Sequence, residues 1–153
     1  MSIEWQAWEY LLGEWEGGNV GDPGQGHGRF SFSFDLDHNI LVRKSRTVYP
    51  DTPDRPGFTH DDMLIVYPEN TGKKRAIYFD NEQHVIHYEV AISPDQQAIT
   101  LQSDPQPSVP QFRFTYLRTG ADTLLARFEM APPGKPGVFI TYLEGPAARI
   151  GST

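Results

Sequence analysis

Residues 29–35 read Arg-Phe-Ser-Phe-Ser-Phe-Asp, an aromatic residue at every second position with a polar residue between. Only an extended strand separates such a run into one apolar and one polar face. The pattern recurs: Phe112, Phe114 and Tyr116 alternate with Arg113 and Thr115, and Ile86, Tyr88, Val90 and Ile92 form a third apolar face. Strands are predicted over 14–20, 29–36, 40–49, 60–67, 74–79, 84–92, 98–103, 111–118, 123–130 and 138–143. Between them lie turn-forming stretches such as Asp37-His-Asn39, Asp80-Asn81, Ser93-Pro-Asp95 and residues 132–137, Pro-Pro-Gly-Lys-Pro-Gly. About ten short strands joined by tight links describe an all-β antiparallel meander, and closing it into a barrel removes the edges that would otherwise pair with other chains. The whole chain, 1–153, is expected to form this single domain.

Ahead of the strands, Trp5, Trp8, Leu11 and Leu12 recur at helical spacing, with Ser2 placed as a cap and Gly13 as a stop. A helix of about three turns plugging one open end is the expectation. Residues 123–130 and 138–143 carry apolar side chains on both faces, which a partner subunit would cover, so a homodimer is expected.

A formal net charge of −7, with basic runs only at 43–46 and 73–75, excludes a nucleic-acid partner and disfavours anionic membranes. Without cysteine there is no disulfide, no thiolate nucleophile and no thiolate metal site. The start, MSIEWQAWEYL, lacks a basic segment followed by an apolar run, and no segment reaches the length of a membrane span. A cytoplasmic location follows as the expectation.

Leu11-Leu-Gly-Glu-Trp-Glu-Gly17 contains a G-x-W-x-G element just after the helical run. It resembles the entrance of calycin-type barrels, in particular nitrobindin-like haem-binding barrels and lipocalin-like domains. Residues 60–64, His-Asp-Asp-Met-Leu, and 128–131, Phe-Glu-Met-Ala, match that pattern more loosely. The resemblance implies that Trp15 closes the barrel floor against a basic residue after the last strand, here Arg149. It also implies a haem-ligating histidine on the final strand, where this chain has none; its last histidine is His87. Haem is therefore disfavoured, with Tyr142 as the remaining residue of that region able to ligate iron.

Chemistry-bearing motifs are sparse. There is no G-x-S-x-G elbow, no H-E-x-x-H and no calcium loop, so catalysis is not indicated. His84 and His87 are three apart and fall on opposite faces of a strand. His60, Asp61 and Asp62 offer metal ligands or a proton relay, yet border a proline-rich loop where solvated polar residues are ordinary. Glu89 and Arg127 are expected to pair across strands. On 40–49 one face carries Lys44 and Arg46 and the other Arg43, so whichever turns inward brings a cation into the lumen; lacking a protein counter-charge, it would call for an anionic ligand.

The expected function is the binding of a small apolar or amphipathic molecule, with an anionic group where that cation is unmatched. The lumen is expected to be lined by Phe30, Phe32, Tyr78, Tyr88, Tyr116, Phe128 and Tyr142, with Arg46 and His84 as polar anchors. The alternatives are a nitrobindin-like haem protein or barrel enzyme, and a packed barrel acting through its outer surface. The six glycines at positions 17–28 precede a strand rather than a helix, so they read as a hairpin loop lidding the mouth and not as a phosphate cradle.

Overall fold

The structure is a computed structural model in which residues 4–21 and 26–152 are described. Ten strands run β1 (Gly13–Gly21), β2 (Gly26–Asp35), β3 (Ile40–Tyr49), β4 (Phe58–Pro68), β5 (Lys74–Asp80), β6 (Val85–Ile92), β7 (Ala98–Ser103), β8 (Gln111–Arg118), β9 (Thr123–Ala131) and β10 (Ile140–Gly151). Each pairs antiparallel with its neighbour in sequence, and β1 pairs with β10 to close the barrel. Every expected strand is present.

The largest difference is β10, which continues to Gly151 through Gly145 and Pro146. A proline lacks the N–H that a ladder needs. The barrel accommodates it because the pairing of β1 with β10 passes from Gly17–Ala147 to Val20–Glu144, while Pro146 stays paired with Leu125 on β9.

The N-terminal turn also differs. It is a 3₁₀ helix over Gln6–Leu11, shorter than three α-turns, and Trp5 precedes it where Ser2 was expected to cap; Ser2 lies outside the described residues. Three residues per turn bring positions three apart onto one line, and the buried residues here are Trp5, Trp8 and Leu11. Gly13 does not end this helix. It is the first residue of β1, at φ +113°, and a Cβ there would meet the Gly151 carbonyl oxygen at 2.5 Å. The β2–β3 turn holds Leu36, Asp37 and His38 at φ 50°, 55° and 64°, which aims the His38 carbonyl at the Trp5 indole N–H, 2.9 Å away.

Inward-facing residues divide the barrel into two storeys. The lower one is a packed floor of Phe32, Leu41, Leu64, Val66, Ile99, Leu101 and Leu124 against Trp8, Leu11 and Trp15. Trp15 donates its indole N–H to the Leu11 carbonyl at 2.8 Å and stacks parallel to Phe30, ring centroids 6.1 Å apart. The Arg149 guanidinium sits 4.4 Å from the centre of the Trp15 ring. Its nitrogens also donate to the carbonyls of Leu12 and, at 2.7 Å, Tyr10. One side chain thus covers the tryptophan face and satisfies carbonyls freed at the helix end. The Trp15–Arg149 contact is as the resemblance implied, but Arg149 lies within β10, paired with Trp15 in the ladder, rather than after the last strand.

Candidate functional site

Above the floor the barrel is not filled. A cavity of about 600 Å³ opens at the end opposite the helix. Gly17 and Gly28 line its wall, and a Cβ on Gly17 would meet the Pro146 carbonyl oxygen at 2.5 Å, so glycine there permits the close approach of β10. Of the stretch expected as a hairpin lid, residues 17–28, Gly17, Gly18, Gly21, Gly26 and Gly28 belong instead to β1 and β2, and residues 22–25 lie outside the described residues.

One wall is aromatic. Phe112 and Phe128 stack at 5.7 Å, Phe114 packs on Tyr116 at 4.8 Å, and Tyr142 meets Phe128 edge-on at 5.9 Å. The facing wall comes from β3, β4 and β5 and is polar. Arg43, 5 % exposed, donates to the Tyr116 hydroxyl at 2.5 Å and to Asp62 Oδ1. His60 Nε2 lies 2.9 Å from the Tyr78 hydroxyl and 3.3 Å from Asp62 Oδ2, while Nδ1 lies 3.3 Å from Glu82 Oε1. Asp80 accepts the backbone N–H groups of Glu82 and His84, each at 2.9 Å, and pairs with His84 Nδ1 at 2.8 Å.

These contacts set the protonation states. The hydrogen bond to Asp62, with Glu82 adding to it, outweighs burial and holds the His60 imidazole protonated up to about 9. Burial, reinforced by Asp62, pushes the Tyr78 phenol up, and burial does the same for Tyr116 and Tyr88. Burial works against the Arg43 charge, but Asp62 and then Tyr116 more than offset it, so Arg43 stays a cation. Phenols and guanidinium are thus fixed hydrogen-bonding groups here, not proton carriers near neutrality.

Of the residues expected at the site, Phe30, Tyr78, Tyr88, Tyr116, Phe128 and Tyr142 line the cavity. His84 stands at its rim, ahead of β6 and largely exposed, with Asp80 as its partner. Phe32 does not line the cavity; it is fully buried in the floor one storey down.

Arg46 is the main correction. It points outward and forms a two-pronged pair with Asp61 at 2.7 and 3.1 Å. Its strand neighbour of opposite parity, Arg43, is the inward cation, because Leu41, Arg43, Ser45, Thr47 and Tyr49 share the face that meets Asp62 and His60 on β4. Being solvated, the Arg46 pair contributes little: Arg46→Ala is expected to leave Tm and any lumen binding unchanged, as thermal melts and a dye titration would show.

The expected Glu89–Arg127 pair is absent. Glu89 faces Arg75 and Arg127 faces Glu144, since β6 and β9 are not neighbours. The inward positions of His60, Asp62 and Asp80 are not evident in the sequence. For His60 and Asp62 the one signal is shared parity with Leu64 and Val66, masked because Met63 and Ile65 are apolar too; for Asp80 it is shared parity with Ala76 and Tyr78 on β5, masked by Ile77 and Phe79.

β10 carries no histidine. The histidine on the lumen wall, His60, has polar partners at both ring nitrogens and stands among Asp62, Asp80 and Glu82.

No family model and no curated protein matches the chain. Among solved structures, the crystal structure of Rv2717c from M. tuberculosis superposes with a TM-score of 0.65 at 15 % identity, covering 98 % of this chain and 99 % of that one. Two designed barrels also match. A de novo fluorescence-activating β-barrel does so at a TM-score of 0.48 and 10 % identity, over 98 % of this chain and 100 % of its own. The barrel EF1p2_mFAP2b bound to DFHBI does so at 0.46 and 10 %, over 97 % and 100 %. At such identity the first likeness speaks for the fold alone, and the designed barrels superpose too loosely to add to it. The chain is a ten-stranded antiparallel closed barrel of the architecture found in Rv2717c.

Proposed function

We propose that this barrel is a binding protein for a small amphipathic molecule, held with its apolar body against Phe112, Phe114 and Phe128 and its polar end toward His60, Tyr78 and Asp80. The observation that supports this reading is the cavity of about 600 Å³ with one aromatic and one polar wall, within the range of about 300–1,000 Å³ usual for small-molecule pockets. A barrel with a purely structural role would fill that space with side chains. The Trp15–Arg149 floor supports placing the chain near the calycin barrels, as the sequence suggests.

The polar end of the ligand is neutral or cationic rather than anionic. Arg43, the inward cation, already has Asp62 as its counter-charge. Asp62, Asp80 and Glu82 together outnumber Arg43 and the protonated His60 on the lumen wall.

Nile red, a neutral dye that brightens in apolar surroundings, provides the test. Saturable binding of one dye per chain is expected. Ala126→Phe, which places a ring in the cavity between the floor and Phe128, is expected to weaken that binding at least tenfold while leaving the far-ultraviolet circular dichroism unchanged. Equal binding by the variant would exclude the lumen as the site.

A further inference from the structure

We propose that the polar rim of the barrel holds a divalent first-row transition-metal ion, with His60 Nδ1, a carboxylate oxygen of Asp80 and a carboxylate oxygen of Glu82 as its protein ligands. One donor atom from each of the three residues lies within 4.8 Å of the other two, and His60 Nδ1 and Glu82 Oε1 are 3.3 Å apart. That last spacing is the edge of a tetrahedron whose metal–ligand bonds are about 2.0–2.1 Å. Glu82 is exposed in the β5–β6 turn, so rotation of its side chain closes the remaining gap at little cost.

The surroundings are arranged as the outer partners of a metal site are. A ligating histidine characteristically donates its other N–H to an oxygen that fixes the tautomer. His60 Nε2 meets the Tyr78 hydroxyl at 2.9 Å and Asp62 Oδ2 at 3.3 Å, which leaves Nδ1 toward Glu82; a metal ion there takes the place of the proton that the free imidazole holds up to about 9. Asp62 is held by buried Arg43. The Asp80 side chain, 2 % exposed, is fixed by two backbone N–H groups and by His84. A carboxylate so buried on a rim with two other carboxylates within reach of one imidazole is a place where positive charge is stabilised.

The donor set also narrows the ion. One imidazole with two carboxylates suits zinc, iron(II) or manganese, whereas calcium and magnesium favour all-oxygen cages. Three protein ligands leave at least one coordination position, and all three line the cavity. The ion would therefore face the space assigned to the ligand, and the preference for a neutral or cationic polar end holds for the metal-free protein. This inference does not depend on a ligand binding there, since the metal alone is the probe.

Chelator-treated full-length protein titrated with zinc in a calorimeter is expected to take up one ion per chain, and cobalt(II) is expected to give visible d–d absorption. Glu82→Gln, at an exposed turn position, is expected to weaken zinc binding at least tenfold, and His60→Gln to abolish the cobalt spectrum. His27→Gln, which removes the separate surface His27–Glu16 contact, is expected to change neither. No heat and no cobalt spectrum would overturn the proposal, as would zinc binding that survives both rim substitutions or is lost with His27→Gln.

Discussion

Replacing Asp62 by alanine is expected to destabilise the barrel by about 3–5 kcal/mol, because it strips the counter-charge from a guanidinium that cannot reach water. Arg43 is 5 % exposed and the Asp62 side chain 11 %. Arg43 Nε already has no hydrogen-bond partner, so the charge depends on the contacts of its two terminal nitrogens to Asp62 and Tyr116. The same substitution removes the carboxylate beside His60 and Tyr78. Removing both charges is a different experiment. Arg43→Met combined with Asp62→Leu is expected to recover most of the loss, since a buried ion pair gives little net stability over an apolar pair of similar volume. Urea denaturation of the three proteins measures this. A loss below about 1 kcal/mol for Asp62→Ala would mean that Arg43 finds water, and that the polar wall is more open than its geometry indicates.

The second large effect lies on the floor. Trp15→Ala is expected to cost about 3–5 kcal/mol, the usual range for deleting a fully buried large aromatic, and to lower Tm by roughly 10 °C or more for a chain of this size. Trp15 is 1 % exposed and carries three separate attachments: the stack on Phe30, the indole hydrogen bond to Leu11 and the Arg149 guanidinium. Below the new melting point, dye affinity is expected to fall no more than a few-fold, because the aromatic wall of Phe112, Phe114 and Phe128 does not rest on Trp15. Differential scanning calorimetry paired with the dye titration separates the two effects. Loss of binding with Tm unchanged would place Trp15 in the site rather than under it.

Much of the fold is legible because the strands that matter most alternate cleanly. Arg29 to Asp35 and Gln111 to Arg118 assign their own inward faces, and the cavity lining from Phe30 and Tyr116 follows from that parity. Where both faces carry apolar residues, parity gives no answer. β3 has Leu41 and Val42 on opposite faces and cations on both, and β4 has Met63, Leu64, Ile65 and Val66 in succession. The register between these strands decides: Ser45 opposite Asp62 and Thr47 opposite His60 bring the polar residues together inside, which selects Arg43 and sends Arg46 to Asp61 outside. That is a long-range outcome, out of reach of either strand's own pattern. The 3₁₀ helix escapes a sequence reading for a local reason: Trp5, Trp8 and Leu11 recur every three residues, but Leu12, four after Trp8, completes a pattern that also suits a period of 3.6 over so short a run.

The central claim is that the open lumen is the binding site. The most direct measurement is a titration of isotope-labelled protein with Nile red, following backbone amide shifts by nuclear magnetic resonance. Shifts concentrated at Arg43, His60, Phe114, Ala126 and Phe128 are expected, with the exposed apolar positions Val138 and Ile140 unmoved. Shifts confined to Val138, Ile140 and their surface neighbours, with the lumen amides unchanged, would contradict it.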